Sequence, residues 1–294
     1  MAFFGSSKYS VQYLERLISI GYELKLIVSQ PDKPVGRGLE VIPTPVKMWA
    51  RDNNILVLTP SNLSDPLFLG ALTTLPLDIG LSSYYGLLIP AQVINHFKHG
   101  ILNVHHSLLP KHRGANPIPW TILAGEKVTG TTIIRIGEKF DDGQIAAQAE
   151  LNILETDNNQ TLREKLDAKA LELLSDVLPE YLDGKLTLKK QNLKDGGYDQ
   201  RVTKELAKIN WKQTDEEIER SIRAFTPWPG AWSTVVEVLE KFKYQTSNIK
   251  MKDKSLKILK AKLGEDKHLI IEDVQIEGKT PTDWKQFLAG YAGN

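Results

Sequence analysis

The sequence contains no cysteine, no long apolar run and little net charge. The lack of cysteine among 294 residues excludes disulfide bonds and thiolate metal sites, and it fits a reducing compartment. No stretch approaches about eighteen consecutive apolar residues, and the first residues show no secretory signal. The formal net charge is +1, so any nucleic-acid binding must depend on local patches. We therefore expect a cytoplasmic protein that does not bind a membrane.

The alternation of short apolar segments with amphipathic helices predicts an α/β fold. We expect a doubly wound, Rossmann-like, mostly parallel sheet over residues 1–189. No glycine-rich dinucleotide fingerprint follows the first predicted strand, so the sheet does not indicate NAD. Residues 190–203 are polar and predict a linker, and residues 204–294 are expected to form a smaller second domain.

Local signals predict two helix starts and one irregular loop. Thr161 and Glu164, and again Thr214 and Glu217, have the spacing of a capping box. The first box is expected to open a long helix that covers the core. The stretch from Gln30 to Lys47 contains four prolines and two glycines, which predict the absence of regular structure.

The stretch from Gly100 to Gly114 carries the residues best suited to chemistry. Residues 101–105 have the pattern of a buried strand, in which Asn103 and His105 point to the same face. An amide that stabilises an oxyanion, an imidazole that moves a proton and a carboxylate such as Asp141 suit acyl transfer. Taken alone, an Asn-x-His at a strand end is more often hydrogen-bonded scaffolding.

Four short motifs resemble the signature of the formyltransferases that use 10-formyltetrahydrofolate. The motifs are Asn103-Val104-His105, Ser107-Leu108-Leu109-Pro110, Arg113-Gly114 and Asp141-x-Gly143. The resemblance covers nearly the whole chain and implies 10-formyltetrahydrofolate as co-substrate, with no metal. It implies that Asn103 donates to the oxyanion and that His105 acts as a hydrogen-bonding acid. Asp141, rather than the adjacent Asp142, would steady the imidazolium and take the amine proton through water.

The resemblance also assigns residues to the folate pocket. Four lie after the predicted strand and two lie in a turn that resembles the one near the pterin ring, although that turn could equally be plain core. They are Ser107, Leu108, Leu109, Pro110, Tyr85 and Gly86. His106 departs from the family and is expected to face away from the site, so that His106→Ala keeps most of the activity that His105→Ala loses. The role of Arg113 is left open.

Basic residues suggest which member of the family this is. A loop resembles the one with which methionyl-tRNA formyltransferases reach the acceptor end of tRNA, although it could be a solvated connector; its basic residues are Lys33, Arg37 and Lys47. The Pro-Trp-Pro-Gly-Ala stretch at 227–231 resembles the start of the C-terminal barrel of those enzymes. Alternating segments at 256–263 and 269–276 predict an OB-like β-barrel.

Eight lysines against one acid lie between Lys241 and Lys262. On such a barrel they predict a phosphate-binding surface, with Lys252, Lys254 and Lys257 as its tRNA contacts, although a lysine run is often only a solvated face.

The resemblance thus implies an enzyme that transfers the formyl group of 10-formyltetrahydrofolate to the α-amine of methionyl initiator tRNA in translation initiation. We expect the enzyme to be a monomer. The alternatives are a formyltransferase acting on an amino-sugar nucleotide, a hydrolase of formyl-folate, and a protein that binds tRNA or folate without catalysis. The presence of Asn103, His105 and Asp141 disfavours the last of these.

Overall fold

A seven-stranded sheet forms the centre of the first part of the chain. The computed structural model describes residues 1–35, 40–246 and 251–291. In spatial order the strands are β10 (Gln144–Asn152), β9 (Val128–Arg135), β7 (Ile101–His105), β6 (Gly80–Ser82), β1 (Ala2–Phe4), β2 (Leu26–Val28) and β5 (Val57–Leu58). The strands from β7 to β5 run parallel, and β9 is antiparallel to β7. This arrangement confirms the predicted α/β class.

Both faces of this sheet are buried by apolar side chains. Its strands are therefore nearly continuous apolar runs rather than alternating ones. Phe3 and Leu81 point into one buried cluster, while Phe4 and Val28 point into another. Both clusters are packed by helices of the first part of the chain. Strand ends near the middle of such a sheet are therefore the places where polar side chains can meet.

Nine helices lie in the described ranges of the chain. They are α1 (Val11–Ser19), α2 (Pro45–Asp52), α3 (Pro66–Thr73), α4 (Ala91–Ile94), α5 (Pro117–Leu123), α6 (Asn159–Leu182), α7 (Asp215–Phe225), α8 (Val235–Lys241) and α9 (Trp284–Tyr291). The capping box predicted at Thr214 and Glu217 is confirmed at the start of α7. Among the described residues, no helix is both long and apolar enough to cross a membrane.

Two local predictions are wrong. The stretch from Gln30 to Lys47 is not wholly irregular, because β3 (Lys33–Val35) pairs antiparallel with β4 (Glu40–Ile42). Pro34 is tolerated in this ribbon since each of its strands is an edge. In α6 the Asn158 side chain accepts from the backbone N–H of Gln160 and of Thr161. The cap therefore precedes the predicted capping box.

The chain forms two compact units, each built from three segments. The first unit comprises Met1–Ala115, Gly130–Leu151 and Leu166–Tyr198; the second comprises Asn116–Thr129, Asn152–Lys165 and Asp199–Asn294. Two further strands pair with each other, β8 (Arg113–Gly114) and β11 (Tyr198–Asp199). The domain boundaries expected near residues 189 and 204 stay a prediction.

The second unit contains a four-stranded antiparallel sheet. Its order is β12 (Ala231–Thr234), β13 (Ser255–Leu263), β14 (Leu269–Ile276) and β15 (Thr282–Asp283). Leu256, Ile258 and Val274 project from one face into a buried cluster that also contains residues of α7 and α8. The alternation that predicts half-buried strands here is confirmed.

Candidate active site

The carboxyl end of β7 brings together the central candidate residues. Asn103 lies opposite Ser82 of β6 and Ile134 of β9, and His105 lies opposite Thr132 of β9. Because side chains alternate along a strand, Asn103 and His105 share one face. His105 is only 6% exposed, whereas Asn103 is half-buried. The amide is therefore the more accessible of the two polar groups.

Asp141 reaches this strand end from the loop that follows β9. Its Oδ1 lies 3.4 Å from Nδ1 of His105, and its Oδ2 accepts from the backbone N–H of Gly114 at 2.8 Å. The loop turns tightly, with Asp141 at a φ of +54°. A side chain at Gly143 would overlap the carbonyl oxygen of Arg135, which explains the glycine two residues after the acid. The sequence-predicted pair is thus in contact.

The His112 carbonyl fixes the proton of the His105 ring. Nε2 of His105 lies 2.9 Å from this oxygen. A carbonyl oxygen only accepts, so Nε2 carries the hydrogen and Nδ1 is the nitrogen free to gain or lose a proton. Since Nδ1 faces Asp141, protonation of the ring creates an ion pair at that contact.

The turn from Ser107 to Pro110 is held by side-chain hydroxyls that donate to backbone carbonyls. Ser107 Oγ donates to the Lys111 carbonyl at 2.6 Å, and Thr132 Oγ1 donates to the Ser107 carbonyl at 2.6 Å. Leu109 is buried, while Leu108 and Pro110 are half-buried. Of the residues predicted to shape the folate pocket here, Leu108 and Pro110 therefore present the side-chain surface.

The ring of Tyr85 is buried in the core. It is 3% exposed and packs edge-on against Phe4 with 5.7 Å between ring centroids, and burial raises its pKa to about 12. Gly86 is exposed, as are the side chains of Leu87 and Leu88. Leu87 and Leu88 offer apolar surface that the sequence assignment, which names Tyr85 and Gly86, does not use.

Two residues that the sequence assigns to a polar linker hold the Asp141 loop. Gln191 Nε2 donates to the carbonyls of Asp141 and Gly143 at 2.8 and 2.7 Å, and the Tyr198 hydroxyl donates to the Phe140 carbonyl at 2.6 Å. Gln191 is 7% exposed. Sequence reasoning missed them because no local pattern marks a polar side chain that binds a distant backbone.

The structure also shows what Arg113 and His106 contact. Arg113 Nη2 donates to the carbonyls of Leu193 and Gly196 at 3.1 and 2.8 Å. Arg113 therefore holds the segment from Leu193 to Gly196 through its backbone carbonyls. His106 does not follow His105 toward Asp141, and its Nε2 lies 3.0 Å from Oδ1 of Asp167 on α6.

The predicted tRNA contacts differ in how much of their charge is available. Lys47 is bound to Asp32 at 2.6 Å, and the exposed Lys33 donates to Gln30. Lys257 donates to the Pro229 carbonyl and is half-buried. Lys252 and Lys254 are exposed. Arg37 lies outside the described residues.

No cluster of histidine, cysteine, aspartate or glutamate suited to a metal ion occurs in the described part of the chain. The family model "Formyl transferase" matches residues 1–178, and the model "Formyl transferase, C-terminal domain" matches residues 201–292.

Curated relatives match the chain along its length, and a solved structure shares its fold. Methionyl-tRNA formyltransferase of Enterococcus faecalis is 34% identical over 311 residues, which cover 100% of this chain and 96% of the relative. The same-named enzyme of Caldanaerobacter subterraneus is 35% identical, covering 99% and 96%. The N-formyltransferase of Helicobacter canadensis, in complex with folinic acid and dTDP-3-aminofucose, shares the fold with a TM-score of 0.62 at 21% identity, covering 90% of this chain and 87% of that one. This chain belongs to the formyl transferase family.

Proposed function

We propose that this enzyme transfers the formyl group of 10-formyltetrahydrofolate to the α-amine of methionine on initiator tRNA. Relatives named methionyl-tRNA formyltransferase align with the whole chain, which supports this substrate. The observation that carries the proposal is the contact between His105 and Asp141 at the strand end that also holds Asn103. These three groups supply what acyl transfer to an amine requires.

Each of the three side chains has a distinct task. The Asn103 carboxamide donates to the formyl oxygen as negative charge develops on it. His105 exchanges a proton at Nδ1, because the His112 carbonyl retains the hydrogen of Nε2. Asp141 is the counter-ion of the protonated ring and takes, through water, the proton that the attacking amine loses. When the tetrahedral intermediate collapses, the bond between the formyl carbon and N10 of the folate breaks, and N10 leaves with a proton that His105 gives up. Groups of this kind each contribute on the order of 10²-fold or more in rate.

We propose that two turns hold the folate. The Ser107–Pro110 turn offers Leu108 and Pro110, and the turn after β6 offers Gly86 with the exposed Leu87 and Leu88. Flat, mostly aromatic ligands are commonly held by apolar surfaces with a few polar groups. The backbone of the first turn is further fixed by Gln148, which donates to the Leu109 carbonyl at 2.9 Å.

For tRNA we propose that Lys252 and Lys254 are the principal phosphate contacts of the antiparallel sheet domain. Their side chains are exposed, and lysines bind phosphate mainly as point charges. Lys33 and Arg37 are proposed to contribute from the other basic segment. We also propose that the enzyme acts in the cytoplasm, where charged tRNA is used, and as a monomer.

The test is a formyl-transfer assay with 10-formyltetrahydrofolate and three acceptors: methionyl initiator tRNA, free methionine and an amino-sugar nucleotide. We expect turnover on the charged tRNA alone, and its loss in His105→Ala. Turnover on the sugar nucleotide would contradict the tRNA proposal while leaving the site standing. Full activity of His105→Ala would contradict the proposed site.

A further inference from the structure

A buried carboxylate with three hydrogen-bond donors lies behind the proposed site. Oδ1 of Asp167 accepts from the hydroxyls of Tyr13 and Tyr84 at 2.7 and 3.0 Å, and lies 3.0 Å from Nε2 of His106. Asp167 is 2% exposed and His106 4%. Burial alone would raise the pKa of Asp167, but the bonds from His106, Tyr13 and Tyr84 lower it, so the carboxylate is ionised and His106 donates.

This cluster joins four elements of the first unit. Tyr13 lies on α1, Tyr84 follows β6, His106 follows β7, and Asp167 lies on α6. The rings of Tyr84 and His106 also touch, with 5.4 Å between centroids. Tyr84 has a φ of +52°, a conformation that a bulky residue adopts only when its surroundings enforce it.

The polar character of this cluster indicates a role beyond filling space in the core. Apolar residues of similar size would occupy the same volume without the cost of burying a carboxylate. A set of directed hydrogen bonds instead fixes one geometry of the groups it joins. The hydrogen bonds hold His106, the residue after His105. Strand β7 ends at His105, so the hydrogen bonds between strands no longer restrain the backbone at this point.

We propose that His106 and Asp167 are positioning residues for formyl transfer. Their hydrogen bond fixes the backbone after β7 and thereby aims the His105 ring at Asp141. The inference rests on the catalytic role proposed for His105. It also revises the expectation that His106→Ala keeps most of the activity, since the ring faces away from the site yet restrains it.

The test compares kcat and KM of variants on both substrates, well below each melting temperature. His106→Leu and Asp167→Leu remove the hydrogen bond, and we expect each to lower kcat about tenfold, because small misplacements of reacting groups are costly. KM for both substrates should stay within about twofold. His106→Gln, whose amide nitrogen can replace Nε2, should recover most of kcat.

Two comparisons separate positioning from loss of stability. The double variant His106→Leu/Asp167→Leu should lose no more kcat than either single one, since both break the same bond. Asp157→Leu removes another buried carboxylate, which receives Lys165 and the Leu154 N–H near the start of α6. It should lower the melting temperature and leave kcat unchanged.

Different results would contradict the positioning role and the proposed site. Unchanged kcat in His106→Leu or Asp167→Leu would overturn the inference, as would a His106→Gln enzyme as impaired as His106→Leu. The proposed function has its own readout, because His105→Ala is measured in the same assay. An active His105→Ala would refute the site, whereas an inactive one beside a fully active Asp167→Leu would refute only the positioning role.

Discussion

Oxygen atoms on two sides hold the ring of His105. Its Nε2 donates to the His112 carbonyl, and its Nδ1 faces Asp141. The sequence motif identifies the histidine and the acid. It cannot identify the ring nitrogen that carries the hydrogen, because that choice depends on the His112 carbonyl. A turn with His112 at a φ of +53° brings this carbonyl back to the ring seven residues later. The tautomer is therefore a property of the tertiary structure.

The adjacent acids Asp141 and Asp142 give a matched pair of variants. Asp141→Asn should lower kcat on the order of 10²-fold, since a neutral amide no longer stabilises the imidazolium. Asp142→Asn should keep most of the activity, because Oδ1 of Asp142 accepts from the Lys139 N–H in the turn and no contact with His105 is seen among the described residues. Steady-state kinetics with both substrates measures this. Equal losses in the two variants would mean that the acid has been misassigned.

Among the strands and helices, apolar periodicity predicts the position of an element well. It predicts helix caps and proline-containing edge strands less well. Strand β14 lies where the alternation places it. The start of α6 was misplaced because both Asn158 and Thr161 can cap a helix, and only the fold shows which one receives the first N–H groups. Strand β3 was missed because proline discourages strands in general but not at an edge.

Helix α8 begins with a capping box formed by Thr234 and Glu237. We expect Glu237 to make the stability of the fold depend on pH in the acidic range. Burial would raise the pKa of Glu237, but hydrogen bonds from Ser233, Thr234 and Lys208 lower it to about 2. Because the folded pKa lies below the unfolded value of 4.5, the stabilisation is full above that value and is lost as pH falls toward about 2.

We therefore expect Glu237→Gln to lower the free energy of unfolding at pH 7 by about 1 kcal/mol. The difference from the parent enzyme should shrink between pH 4.5 and about 2. Denaturant unfolding at several pH values measures it. Glu240→Gln, at an exposed position of the same helix, is the control and should have little effect. A difference independent of pH would contradict the assignment.

At the scale of the whole molecule, charge is distributed less simply than the sequence suggests. Of the eight lysines between 241 and 262, Lys241 binds Asp215, and both Lys260 and Lys262 bind Glu272. These acids lie outside the run, so counting charges within the run overestimates its free positive charge. Lys252 and Lys254 stay exposed.

This difference predicts which lysines set the salt dependence of tRNA binding. Lys252→Ala/Lys254→Ala should weaken tRNA binding and reduce the slope of log affinity against log salt by about one for each phosphate that is no longer bound. Lys260→Ala/Lys262→Ala removes the same charge from positions paired with Glu272 and should change both less. Binding titrations at several salt concentrations measure the slopes. Equal slopes for the two double variants would contradict the proposed choice of lysines.

The hydrogen bonds of Gln191 and Tyr198 bear on how a shorter catalytic fragment could be made. A fragment that ends at residue 189 would lack the side chains that hold the Asp141 loop and the two carbonyls, of Leu193 and Gly196, that receive Arg113. During synthesis on the ribosome the same loop can form these hydrogen bonds only after some fifty further residues have been added. The polar segment after residue 189 therefore supplies its hydrogen bonds to the Asp141 loop late in synthesis.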